Sequence, residues 1–282
     1  MKQFFFITSV LFSFQVSAQK QYDINWVEAP KNPNAFAFTC NHFGLKGKVS
    51  SAIKETSTKD SSWYKWFDKA GFLTATSVSG RMGGVGDMVT EMTYFKYNWA
   101  TGVMTKQPGD GTKPKQTQKI NAAGQIIETL LINASSLYKT TFLYNDKGLL
   151  NEKQYVNNRK NRHHLDTVIT RYEYNFAKQV VKEEQLENGK LISLISYQYK
   201  KNMNQLVINY TKEFLQEGNK QSCTEIWDVN GLLIKEVTAY DERIYEYDRD
   251  AVGNWISMTI TFKDKNSIST SEKTYKRTLV YD

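Results

Sequence analysis

The chain is poor in the residues that most often carry chemistry. Its 282 residues include three histidines, His42, His163 and His164, two cysteines and four prolines. A side-chain nucleophile needs a neighbouring base, usually His, and no Gly-x-Ser-x-Gly elbow is present. Cys40 and His42 stand two apart with no third group to orient them. His163 and His164 would point to opposite faces of a strand. His164 with Asp166 supplies two ligands where zinc takes three or four. No calcium loop occurs. The Gly-rich stretch Ser79–Gly86 precedes a strand-like segment, so it lacks the helix that a phosphate cradle needs. Gly109-Asp110-Gly111-Thr112-Lys113 has the wrong spacing for a phosphate-binding loop. No catalytic residue, metal ligand or cofactor is therefore assigned. Carboxylate pairs for glycoside hydrolysis assemble from distant strands and leave no mark in sequence.

Long apolar runs are also missing. No stretch approaches the roughly 20 apolar residues that cross a bilayer as a helix, and no long segment repeats its apolar residues every 3.6 positions. Strand-forming residues abound instead, with 17 Tyr, 15 Phe and 6 Trp. Thr141-Phe142-Leu143-Tyr144-Asn145-Asp146-Lys147-Gly148-Leu149-Leu150 sets the pattern. Phe142 and Tyr144 share one face of a strand. Asn145 opens a turn, and Gly148 takes the left-handed conformation that closes a G1 bulge. Another residue at Gly148 would cost about 1–2 kcal/mol. The unit recurs at Phe67-Asp68 with Gly71, Tyr97-Asn98 with Gly102, Ile120-Asn121 with Gly124, Trp227-Asp228 with Gly231 and Tyr247-Asp248 with Gly253. Worn copies place Lys178 and Asn204 at the Gly position, after Tyr174-Asn175 and Tyr199-Lys200. The structural turn residues expected are thus Asp68, Gly71, Asn121, Gly124, Asn145, Gly148, Asp228, Gly231, Asp248 and Gly253. A fixed repeat means a chain of like units packing on their neighbours. The expected fold is all-β: about sixteen to eighteen short strands in consecutive antiparallel hairpins. They form one long twisted sheet, free to curl.

Tyr247-Asp248 with Gly253-Asn254-Trp255, Tyr144-Asn145 with Gly148, and Trp227-Asp228 with Gly231 resemble the tyrosine–aspartate (YD, or Rhs-type) repeats of bacterial proteins. Gly44-Leu45-Lys46-Gly47-Lys48-Val49 is similar to the first strand of small secreted members. The resemblance covers roughly residues 44–282. The last copy departs from it, with four residues between Asp248 and Gly253 where two are usual. Large members build a shell around a toxin; this chain lacks the length and the toxin segment. For small secreted members the resemblance implies a fold and no established activity.

Residues 1–18 read as a secretory signal peptide: Lys2, an apolar stretch from Phe4 to Phe14, and Val16-Ser17-Ala18 before the cleavage point. Residues 19–43 read as an N-terminal capping segment over the first edge strand, and 44–282 as the repeat domain. The expected location is the periplasm or exterior of a Gram-negative bacterium, with no transmembrane anchor after cleavage. The net charge of +8 is spread along alternate strand positions, which keeps sheet surfaces soluble. A nucleic-acid partner wants a clustered basic stripe and is not expected. Cys40 and Cys223 lie in distant parts of the chain. In an extended array they cannot approach within the roughly 7 Å a disulfide requires, so two buried thiols are expected unless the array curls.

The aromatic ladder, Phe95, Tyr97, Phe142, Tyr144, Tyr172, Tyr174, Tyr197, Tyr199, Tyr245 and Tyr247, is read first as core packing. Trp63, Tyr64 and Trp66 are the candidate ligand-binding residues, with Tyr64 and Trp66 on one face. The expected function is a non-catalytic envelope or secreted protein that binds a glycan or a protein partner. The alternatives are a polysaccharide hydrolase or lyase with carboxylates on a concave face, and a structural or toxin-neutralising partner.

Overall fold

A computed structural model of the protein describes residues 45–56, 61–81, 88–110, 116–132, 136–159, 166–267 and 269–281. Eighteen strands occupy them, and no helix occurs among the described residues. The first nine are β1 (Val49–Thr56), β2 (Ser61–Phe67), β3 (Leu73–Arg81), β4 (Met88–Asn98), β5 (Val103–Pro108), β6 (Gln116–Ile120), β7 (Ile126–Ile132), β8 (Ser136–Tyr144) and β9 (Leu150–Arg159). The rest are β10 (Asp166–Tyr174), β11 (Val180–Glu187), β12 (Lys190–Asn202), β13 (Gln205–Phe214), β14 (Asn219–Asp228), β15 (Leu233–Val237), β16 (Asp241–Arg249), β17 (Trp255–Asp264) and β18 (Thr270–Tyr281). Polar residues also take part in strands: Asn157–Arg159 ends β9, and Gln116–Gln118 opens β6. Cys40, His42, His163, His164 and residues 1–43 lie outside the described residues.

The repeated turn forms as its chemistry dictates. Asn145 Oδ1 accepts from the backbone N–H of Lys147 and Leu149, each at 3.0 Å, while Gly148 N–H donates to Asn145 O at 2.8 Å. Gly148 has φ +73°. The strand register slips by one between Leu143 and Tyr144, which is the bulge. The same side-chain-to-backbone clasp recurs at Asp68, Asn121 and Asp228. Lys178 stands at the Gly position with φ +60°, as the worn copy required. Two expectations are corrected. Asn204 does not take a positive φ; Met203-Asn204 is a two-residue loop closed by the Asn202–Gln205 pair. Asp248 is not a turn residue. It pairs with Ser257 inside β16, and Asp250 clasps Val252 N–H and Asn254 N–H instead. The strand runs two residues further, Arg249 takes the aromatic position opposite Trp255, and the spacing from Asp250 to Gly253 is regular. Gly102 is demanded by space as well: a Cβ there would lie 2.5 Å from Ile120 O.

Four of the turns are tied to the next hairpin by a phenol. Tyr144 donates to Ile126 O at 2.9 Å, Tyr174 to Leu150 O at 2.6 Å, Tyr199 to Val180 O at 2.7 Å and Tyr247 to Leu233 O at 2.8 Å. Each acceptor is the first residue of the preceding strand, where the bulge interrupts the ladder. The ladder residues therefore serve as hydrogen-bonded posts as well as packing.

Every strand pairs antiparallel with its neighbours in sequence, and β1 pairs with both β2 and β18. The sheet thus closes into a barrel, which corrects the expectation of an open array. An open array would leave two unpaired edges; mutual pairing of β1 and β18 removes both. The β1 edge that residues 19–43 were expected to cover is occupied by β18. Because the path is a simple meander, all the repeated turns lie at one rim. Alternation splits the wall into two faces. Phe95, Tyr97, Met104, Tyr174, Leu206, Ile208, Cys223 and Ile260 lie on the more buried face. Side chains converge on the concave side of a closed wall, so this face is the lining. The other face carries exposed cross-strand pairs, among them Lys119–Glu128–Lys139, Arg171–Glu152 and Glu173–Lys182–Glu184. The main core, formed by Leu45, Val49, Phe67, Leu73, Phe95, Met104, Ile120 and Ile126, sits at the turn-bearing rim.

Candidate functional site

One strand is too short for its place. β14 has ten residues and β16 nine, but β15 between them has five. Its ladder with β14 covers only Thr224–Trp227. The chain turns away at Thr238, whose hydroxyl receives Tyr240 N–H at 3.2 Å and Asp241 N–H at 3.1 Å and itself hydrogen-bonds the Asp241 carboxylate. The result is a notch in the wall, a hollow of about 400 Å³. Tyr210, Lys212, Cys223 and Arg243 line it from the concave face, Lys220 and Ser222 from the convex one, and Tyr240 stands at its lip, 65% exposed. The loop beneath is braced by Lys265, whose N–H donates to Tyr240 O at 2.8 Å.

Behind the notch lies a buried polar cluster. Glu225 and Glu236 are direct cross-strand partners, an arrangement that costs stability unless it is compensated. Arg243 compensates it. Its Nη1 donates to Glu236 Oε2 at 3.0 Å, and its guanidinium also holds Asp241 at 2.8 Å. Tyr245 donates to Glu236 Oε2 at 3.3 Å, and Trp227 Nε1 to Glu225 Oε2 at 3.0 Å. Burial pushes the Tyr210 and Tyr245 phenols up, and neighbouring Glu236 adds to both. The hydroxyl of Thr238, ahead of Arg243, holds the Asp241 carboxyl below its usual range. Cys223 is a buried thiol with Sγ 3.9 Å from Glu236 Oε1. Donor atoms of Cys223, Glu225 and Glu236 all lie within 4.8 Å of one another. They could coordinate a cation, but both carboxylates already accept strong donors, and the group acts first as a hydrogen-bonded brace.

The residues singled out in sequence sit elsewhere. Tyr64 and Trp66 share the convex face and lie nearly parallel, at 14° with centroids 5.9 Å apart. Both are half-buried, and their cross-strand partners Ser77 and Ala75 are buried. Trp63 points to the other side, opposite Val78. The fold separates all three from the notch. Sequence reading missed Tyr210, Cys223, Glu225, Glu236, Tyr240 and Arg243. The only local signal was the short spacing between the Gly231 turn and Tyr245.

No protein-family model matches the chain, and no curated protein matches it in sequence. Among solved structures it is similar to a porin-like protein from Bacteroides uniformis, at 11% identity and TM-score 0.46, over 83% of this chain and 99% of that one. It is also similar to the TcdB2-TccC3-TEV structure, at 8% identity and TM-score 0.29, over 73% of this chain and 13% of that one. Both scores are too low to carry an argument about function.

Proposed function

We propose that the protein is an exported, non-catalytic barrel of YD-type hairpins that binds an acidic oligosaccharide at the notch. The carrying observation is the hollow of about 400 Å³ beside the five-residue strand β15, walled by Tyr210 and Tyr240 and ringed by Lys212, Lys220 and Arg243. Aromatic rings suit the apolar faces of sugars, and the cations and hydroxyls suit carboxylate and hydroxyl groups. Its size lies within the range of small-molecule sites. A role as a lipid-spanning pore is disfavoured by the charge pattern. A membrane barrel needs an outward apolar band about 25 Å tall, whereas the convex face carries Lys119, Glu128, Glu152, Arg171 and Lys182 along its strands. Binding is favoured over hydrolysis because both carboxylates of the Glu225–Glu236 pair are already held by donors, Trp227 Nε1 on one and the Arg243 guanidinium on the other.

The test is a calorimetric titration with uronic-acid oligosaccharides. Tyr240→Ala, at an exposed position, should weaken binding about tenfold, and Trp66→Ala should leave it unchanged. Equal affinity for wild type and Tyr240→Ala would remove the notch from the reading. Loss with Trp66→Ala alone would move the site to the Tyr64–Trp66 pair.

A further inference from the structure

The repeated turns place apolar residues at positions where turn chemistry asks only for polar or small ones. Phe176 is 106% exposed and Met203 is 99% exposed, at the tips of adjacent hairpins. Trp99, Val229 and Val252 stand exposed at other tips of the same rim, because the meander brings every copy of the turn to one end. Neither the Phe176 turn nor the Met203 turn is closed by these side chains: Asn175 and the backbone close the Phe176 loop, and the Asn202–Gln205 pair closes the Met203 loop. Between the β8–β9 and β10–β11 turns lies a surface hollow of about 640 Å³, lined by Asp146, Lys147, Phe176 and Lys178.

We propose that this rim docks on the surface of an anionic phospholipid bilayer. Phe176 and Met203 enter the interfacial layer, and Lys147 and Lys178 flank a lipid phosphate. The site is separate from the notch and does not rest on the oligosaccharide reading. Spacing decides between occupants. Tips on alternate strand pairs stand about 10 Å apart along the rim, with polar turn backbone between them. Protein interfaces need close-packed, continuous contact, so two rims face to face would leave gaps. A fluid lipid surface closes around each finger separately. Charge agrees, since Lys147 and Lys178 in the hollow and the exposed Lys200 and Lys201 beside Met203 match anionic head groups.

The experiment is co-sedimentation of the purified protein with vesicles of phosphatidylcholine, alone and mixed with phosphatidylglycerol. Binding is expected to the mixed vesicles, to weaken as salt is raised, and to fall about tenfold or more in the double variant Phe176→Ser, Met203→Ser. Both side chains are fully exposed, so the fold survives; far-ultraviolet circular dichroism checks it. Lys147→Glu with Lys178→Glu should lower binding to the mixed vesicles only. The proposal is overturned if wild type ignores both vesicle types, or if the Ser variant sediments as wild type does. It is equally overturned if ultracentrifugation shows a dimer that the Ser variant loses, for then the rim's partner is a second copy.

Discussion

The tyrosine hydroxyls turn a row of similar hairpins into a continuous wall. Removing a donor from a buried carbonyl costs about 1–3 kcal/mol. Tyr174 donates to the carbonyl of Leu150, which is fully buried. Tyr174→Phe keeps the ring and removes the donor, so it should lower the urea midpoint by an amount equivalent to about 1–3 kcal/mol. An unchanged midpoint would mean that another group satisfies Leu150 O. These residues were legible as a ladder because aromatic-x-aromatic before Asn or Asp is a local signal. Their hydroxyl bonds were not, because the acceptor lies on another strand, 14 to 24 positions away. Asn188-Gly189, both with positive φ, is the strongest short hairpin signal a sequence offers; it joins β11 to β12 at the rim opposite the aromatic turns.

At the scale of the hairpin, the clasping carboxylates make the turns sensitive to acid. Burial opposes ionisation of Asp228, but the Leu232 N–H and the Arg249 guanidinium outweigh it and hold its carboxyl below the usual range. The folded protein therefore binds fewer protons there than the unfolded chain. The contribution is complete above the unfolded value, about 3.9, and is lost as pH falls through the folded one. Urea midpoints measured from pH 6 downward should drop below about pH 4 in wild type, with a shallower drop in Asp228→Asn. Parallel curves would assign the acid sensitivity to other carboxylates. The Asp228 clasp was readable because Asp, two residues and Gly is a complete local instruction. Asp248 looks like the clasp because it follows the last aromatic, but Arg249 stands where an aromatic usually does. Strand lengths were less legible still. β15 ends where the Thr238–Asp241 turn begins, and its one mark in sequence is the short spacing between Gly231 and Tyr245.

For the whole molecule, closure is the property on which the rest depends. β1 and β18 run side by side over seven residue pairs. Removing residues 270–281 would uncover β1 and β17 together, and exposed edges recruit other chains. The shortened protein should leave the monomer peak in size-exclusion chromatography and appear as aggregate; a stable monomer would mean the wall can stand open. What the sequence by itself determined is the hairpin, its turn geometry, the aromatic posts and the absence of helices among the described residues, because each depends on residues within a few positions of one another. Tertiary structure alone decided that the ends of the array meet, that one short strand leaves a notch, and that Glu225, Glu236, Arg243 and Cys223 gather behind it. Those outcomes follow from register and twist summed over eighteen strands, which no local pattern encodes.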